Sequence, residues 1–168
     1  MSARAAAGPR RKAHDEHHRG PERVEPRGPA DYLEVMARAM FQAGISWRVV
    51  DAKWEGIREA FAGFDPERVA AMTPADVERL MGDPRVIRNR RKVEGLIDNA
   101  HTFLALERQF GVFEGYLRSF RDYDSLAEDM SRRFKWLGES GVYYFLWVVG
   151  EPVPPYDEWA ASRRAHAR

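Results

Sequence analysis

From residue 30 onward, apolar side chains recur three and four positions apart. Leu33, Met36, Ala37, Met40 and Phe41 form one stripe, which stops short of Gly44, a common helix C-terminal signal. Trp47, Val50, Trp54, Ile57 and Phe61 form a second stripe that ends near Gly63. Asp65-Pro66-Glu67 opens a short helical turn. Thr73-Pro74-Ala75-Asp76 reads as a strong helix start, with Thr as N-cap, Pro at the first position and an acid at the third. That helix carries Val77 and Leu80 and ends at Met81-Gly82. Beyond Asp83-Pro84-Arg85 the pattern predicts one long helix from Val86 to Phe110, with Val93, Leu96, Ile97, Ala100, Phe103 and Leu104 turned inward. Further helices fit 112–120, 125–137 and 141–149, followed by a Pro-rich exit at 151–156. No stretch sustains period-two alternation and no fixed-period repeat is visible. The reading is an all-α domain over 30–156, flanked by an N-terminal tail at 1–29 and a C-terminal tail at 157–168.

The N-terminal tail follows from its composition. Residues 1–29 hold almost no bulky apolar side chain and several Gly-Pro breaks, so they read as disordered. The cluster His14-Asp15-Glu16-His17-His18 sits in this tail with no rigid frame to hold a metal, and reads as solvated. In the whole chain, 168 residues suit one domain with a proper core. No run approaches the length needed to span a bilayer, no secretory leader is visible, and there is no cysteine for a disulfide or a thiolate site. A cytoplasmic address is the default.

Charge changes the picture locally. The net value is +1, yet of 27 Lys/Arg seven fall in residues 1–29, and of 26 Asp/Glu four do, leaving a slightly acidic body with 20 bases against 22 acids. Against that background Arg85, Arg88, Arg90, Arg91 and Lys92 crowd into eight residues with no acid among them. A short helix, a hairpin and a second helix opening on cations is the layout of a helix-hairpin-helix, whose backbone amides and helix N-terminus face a DNA phosphate without reading sequence. The alternative is an ordinary solvated helix face. The Gly44-Ile45-Ser46-Trp47 turn offers an apolar wedge and an aromatic that can stack on an extruded base. Its bland reading is that Ile45 and Trp47 are core residues at a helix start.

Taken together, the order and spacing of several motifs resemble the DNA-3-methyladenine glycosylase I family, within the helix-hairpin-helix glycosylases. They are Gln42-Ala43-Gly44-Ile45-Ser46-Trp47, Phe64-Asp65-Pro66 with Val69 to Met72, Asp76 to Leu80, and Ile87-Arg88-Asn89-Arg90 with Lys92 and Asn99-Ala100. A weaker echo runs through Phe134-Lys135-Trp136-Leu137-Gly138, Tyr143 and Phe145. The resemblance implies excision of N3-methylated adenine from DNA. In it Gly44-Ile45 probes the lesion gap, Trp47 and Gln42 meet the base, and the hairpin from Asp83 to Lys92 grips the backbone. It implies duplex DNA with a damaged base as the partner, a monomer, no membrane, and residence in the cytoplasm with the nucleoid.

Departures from the family are informative. Its structural zinc is held by Cys and His residues near both ends; this chain has no Cys, and Glu151 to Pro155 offers no ligand, so neither a metal nor any other cofactor is expected. The family's tyrosine-bearing N-terminal segment is missing. Its pocket carboxylate, eight residues before the tryptophan, is here Ala39. Glu139 stands where a small hydroxyl residue is usual, and Trp147 where a glutamine is. No catalytic residue can therefore be assigned; Glu34 and Glu139 are the acids that would have to substitute, and each reads first as a surface residue. The expected function is a base-excision glycosylase of alkylated bases. The alternative is a non-catalytic DNA-binding or lesion-sensing relative.

Overall fold

The computed structural model describes residues 20–168, and every regular element among them is helical. Nine helices follow in order: α1 Pro29–Gln42, α2 Trp47–Ala60, α3 Pro66–Ala70, α4 Pro74–Met81, α5 Arg90–Phe110, α6 Phe113–Leu117, α7 Tyr123–Arg133, α8 Glu139–Val148 and α9 Tyr156–His166. The all-α expectation holds. The long α5 is the spine: α1, α3, α4 and α6 pack on it, while α8 packs against α1 and α7. Its inward face supplies Val93, Leu96, Ala100 and Phe103, all fully buried. Phe103 stacks on Phe113 with ring centroids 4.2 Å apart, and Tyr32 meets Phe113 edge-on at 5.4 Å.

Local chemistry sets the helix boundaries. The side chain of Thr73 accepts from the Asp76 amide and Asp76 in turn accepts from the Thr73 amide, a reciprocal cap that starts α4 as anticipated. The long helix begins at Arg90, four residues later than the apolar period suggests. Val86 is buried and Ile87 half-buried in the preceding hairpin, so their apolar character serves the core from an irregular segment. Asn89 then caps α5 by accepting from the Lys92 amide at 3.2 Å. Similarly α7 starts at Tyr123, because Asp122 accepts from the Ser125 amide at 2.8 Å, and it stops at Arg133, where Phe134 turns extended.

Between α2 and α3 the chain makes a left-handed turn at Ala62, Gly63 and Phe64, with φ of 54°, 66° and 60°. The cost to the two non-glycine residues is of order 1 kcal/mol each. It is offset by burial of Phe64, whose ring lies between Phe61 at 5.8 Å and Trp54 at 5.4 Å.

Both ends of the domain extend beyond the expected 30–156. Residues 20–28 run along α8: the Val24 amide donates to the Val148 carbonyl at 2.7 Å, and the Trp147 indole donates to the Pro21 carbonyl at 2.8 Å. The stretch 157–168, expected as a tail, contains most of α9. Trp159 anchors that helix on Tyr143 with ring centroids 4.4 Å apart. The tail's expectation missed α9 because its apolar residues are too few to form a stripe, and none is fully buried. The His14–His18 cluster lies outside the described residues. Among those described, no helix is long and apolar enough to cross a membrane.

Candidate nucleic-acid interface

α1 ends at Gln42, and the chain reverses through Gly44, whose φ of 77° suits glycine alone without strain. The Ile45 amide donates back to the Gln42 carbonyl at 3.2 Å. Ser46 then precedes α2, which opens on Trp47. This puts Trp47 on the surface, 60% exposed, with the Arg48 guanidinium 5.5 Å from its ring. Ile45 is half-buried and packs on the core, so only part of it is presented outward.

The basic hairpin is less uniformly cationic than its sequence suggests. Arg85 is taken by Asp83, 2.7 Å away, and reaches Glu59; Arg90 pairs with Glu78 at 2.6 Å. The Arg85 hydrogen bonds hold the Asp83 carboxyl down at about 2. All three acids lie outside the run 85–92, which is why the run itself looked unopposed. Arg88 and Arg91 are exposed and form no ion pair among the described residues. The amides of Arg90 and Arg91, the first two of α5, also take no partner there.

Lys92 corrects the expectation of a DNA contact. It is 3% exposed, and its ammonium donates to the carbonyl of Ala43, the C-cap of α1. The ammonium also sits 5.7 Å from the ring centre of Trp136. Burial without a carboxylate partner lowers its pKa from the ordinary lysine value. Its function is therefore internal: it ties the start of α5 to the Gly44 turn.

A third loop joins these two. Trp136 is 43% exposed and adopts φ of 58°, rare for a bulky residue. Its indole donates to the Arg91 carbonyl at 3.2 Å. It lies over Gly95, where a methyl group would come within 2.7 Å of the ring. Fully buried Asn99 braces the loop from below, donating to the Lys135 carbonyl at 2.9 Å and accepting from its amide at 2.8 Å. Sequence reasoning gave Trp136 and Asn99 no role. A helical face of Arg91, Gly95 and Asn99, spaced four apart, was the available signal.

Ala39, at the position of the family's carboxylate, is nearly buried where α1 meets α8. A methyl group on Gly141 would lie 3.9 Å from the Ala39 side chain. One turn further along α8, burial chiefly raises the pKa of the Tyr144 hydroxyl. Arg38 is paired with Asp51 and lies over the Trp54 ring at 4.5 Å. Neither spare acid is free. Glu34 accepts from Trp54 Nε1 at 2.9 Å and from Arg58 Nη2 at 2.6 Å, and Glu139 pairs with Arg163 at 2.8 Å. Trp47 takes no part in a cavity of about 700 Å3 that Tyr144 helps to line. That cavity is lined by Tyr143, Trp147, Tyr156, Trp159 and Arg163. Among the described residues no group of three His, Cys, Asp or Glu side chains is placed to hold a metal, so the family's zinc has no donor set there.

An all-helical scaffold that braces an exposed aromatic turn and a cationic hairpin on one spine is the framework of a base-handling nucleic-acid protein. The comparisons define it further. The methyladenine glycosylase family profile matches residues 12–140, and the chain belongs to that family. Curated relatives named DNA-3-methyladenine glycosylase occur in Haemophilus influenzae, at 32% identity, and Escherichia coli, at 34%. Each match extends over 130 residues, 65% of this chain and 70% of the relative. Among solved structures, a glutamate-to-glutamine variant of 3-methyladenine DNA glycosylase I from Staphylococcus aureus superposes with a TM-score of 0.68 at 28% identity, covering 82% of this chain and 84% of the other. A second structure of that S. aureus enzyme, described as showing the basis of 3-methyladenine recognition, gives 0.67 at 27% identity, covering 84% and 87%.

Proposed function

We propose that this protein is a base-excision DNA glycosylase acting on alkylated bases of the 3-methyladenine type, working as a monomer on duplex DNA in the cytoplasm. The observation that carries the reading is the link through Lys92: one buried ammonium joins the Gly44–Trp47 turn to the hairpin bearing Arg88 and Arg91. In this reading Arg88, Arg91 and the free amides at the start of α5 hold a phosphate, while Gly44 and Ile45 face the gap left by the extruded nucleotide. Trp47 and Gln42 meet the base.

The chemistry asked of the protein is modest. An N3-alkylated adenine in DNA is a cation, so it departs with the glycosidic electron pair as a neutral base. Water then forms the new bond at C1′ and loses its proton to solvent. Such a leaving group needs less acid assistance than a neutral base, and positioning supplies part of the rate.

Ala39 favours a second reading, a relative that binds lesion-bearing DNA without cleaving it, since Glu34 and Glu139 are both engaged elsewhere. Single-turnover incubation with N-methylated duplex, followed by chromatography of the released bases, separates the two. Free 3-methyladenine, lost in Trp47→Ala, supports the enzyme. Salt-sensitive duplex binding with no release at high protein concentration supports the second reading, and absence of both removes DNA from the account.

A further inference from the structure

We infer that Trp136 is a second aromatic DNA contact, a fixed platform on which a deoxyribose or base of the strand beside the extruded nucleotide stacks. The inference rests on the DNA-binding reading above and adds a site to it. Its basis is the way this side chain is held. An exposed indole in a left-handed backbone conformation is unfavourable twice over, in strain and in exposed apolar area. Here that conformation is imposed from several directions. Asn99 fixes the backbone of the preceding residue through two hydrogen bonds, the Arg91 carbonyl fixes the indole N–H, and Gly95 leaves the space in which the ring lies. Lys92 closes the set with its ammonium toward the ring. A tryptophan that merely filled space would be buried by these contacts; this one is locked and still 43% exposed.

Its place also selects the partner. The same ammonium that faces the ring binds the Ala43 carbonyl, so Trp136 adjoins the turn that carries Gly44 and Ile45. The residue whose carbonyl holds the indole, Arg91, is one of the two exposed hairpin cations without an ion-pair partner among the described residues, and its amide is one of the free amides of α5. An aromatic face beside unpaired cations and free amides matches a single strand of nucleic acid, which presents phosphates and flat rings together. Trp47 stands on the surface where the same turn leads into α2, and the two tryptophans would then contact different nucleotides beside the wedge.

The test uses the full chain and a fluorescent duplex carrying a central tetrahydrofuran abasic analogue, titrated by anisotropy at several salt concentrations. Trp136→Leu is expected to weaken binding roughly ten-fold with an unchanged salt slope, because stacking is lost and no phosphate contact is. Trp136→Phe should recover most of the loss. Gly95→Ala keeps the tryptophan but denies it its seat, and should weaken binding in the same direction while thermal melting reports an intact fold. Affinity of Trp136→Leu within two-fold of the parent protein overturns the platform and leaves the DNA reading standing. A loss accompanied by a flatter salt slope also overturns it, since that marks displaced cations instead of lost stacking. If the parent protein fails to bind the duplex even at low salt, the platform falls together with the DNA reading.

Discussion

The two ends of this molecule both gather aromatic side chains, but they hold them differently. Around the start of α5, Trp47 and Trp136 stand in solvent, and Trp136 is held by Asn99 on the Lys135 backbone, by the Arg91 carbonyl at its indole N–H and by the Lys92 ammonium near its ring. Around α8 and α9, Tyr143, Tyr156 and Trp159 pack on one another, with centroids between 4.4 and 5.9 Å, Tyr156 at the exposed edge of the group, and the Tyr143 hydroxyl donates to the Pro154 carbonyl at 2.7 Å. Aromatics that pack on each other stabilise a fold. Aromatics held rigid and left uncovered store a surface for something else. The first end is therefore read as the working face and the second as the fastening of a terminal helix, even though the 700 Å3 cavity lies at the second.

Asn99→Ala should break the contrast most severely. It removes both hydrogen bonds to the Lys135 backbone and leaves a gap at the fully buried Asn99 position, a loss of about 3 kcal/mol, or roughly 10 °C in melting temperature. DNA binding by the surviving folded protein should fall as well, because the Trp136 loop loses its brace. A melting temperature within 2 °C or so of the parent would mean that the loop is held by other contacts.

Lys92→Met separates positioning from stability at the same end. Methionine keeps the packing volume but drops the ammonium. Lost hydrogen bonding to Ala43 and relieved desolvation oppose each other, so stability should shift by less than about 1.5 kcal/mol. Base release, by contrast, should drop ten- to a hundred-fold, on the order expected when a turn is misplaced by an ångström or so. Paired melting and single-turnover measurements check both halves. Equal losses in the two would make Lys92 a purely structural residue.

Trp159→Ala probes the other end. Removing its stack on Tyr143 and its contact with Arg163 should cost about 1–2 kcal/mol and raise amide exchange along α9. Duplex affinity should stay within two-fold of the parent. A larger drop would transfer function to the α8–α9 end and its cavity.

How much of this could be read beforehand differs between the ends for physical reasons. The spine, the Thr73 cap and the Gly44 turn were legible, because apolar period, capping chemistry and the left-handed glycine are local. The fate of the hairpin cations was not: Glu59 and Glu78 reach Arg85 and Arg90 across the fold, and Lys92 turns inward to a carbonyl 49 residues away in sequence. Trp136 carried no role beforehand, since nothing in Lys135-Trp136-Leu137-Gly138 marks the positive φ that lifts it out. At Ala39 the residue alone told only of a missing carboxylate. The packing sets it against Gly141, where α1 meets α8.

The smallest expected effect sharpens the charge of the working face. Asp83 is half-buried and holds Arg85 through hydrogen bonds that depress its own pKa to about 2. Asp83→Asn removes that hold, so Arg85 becomes available and duplex affinity should rise about two- to five-fold, with a salt slope steeper by up to about one. The pH dependence has a definite sign. The folded carboxyl titrates below its unfolded value near 3.9, so the folded hairpin binds fewer protons there. Its contribution is complete above about pH 4 and is lost as pH falls toward 2. Following the Asp83 carboxyl carbon by NMR between pH 5 and 1.5 gives the midpoint directly. A midpoint near 3.9 would show that Arg85 is already free in solution, and the asparagine variant would then leave affinity and salt slope where they were.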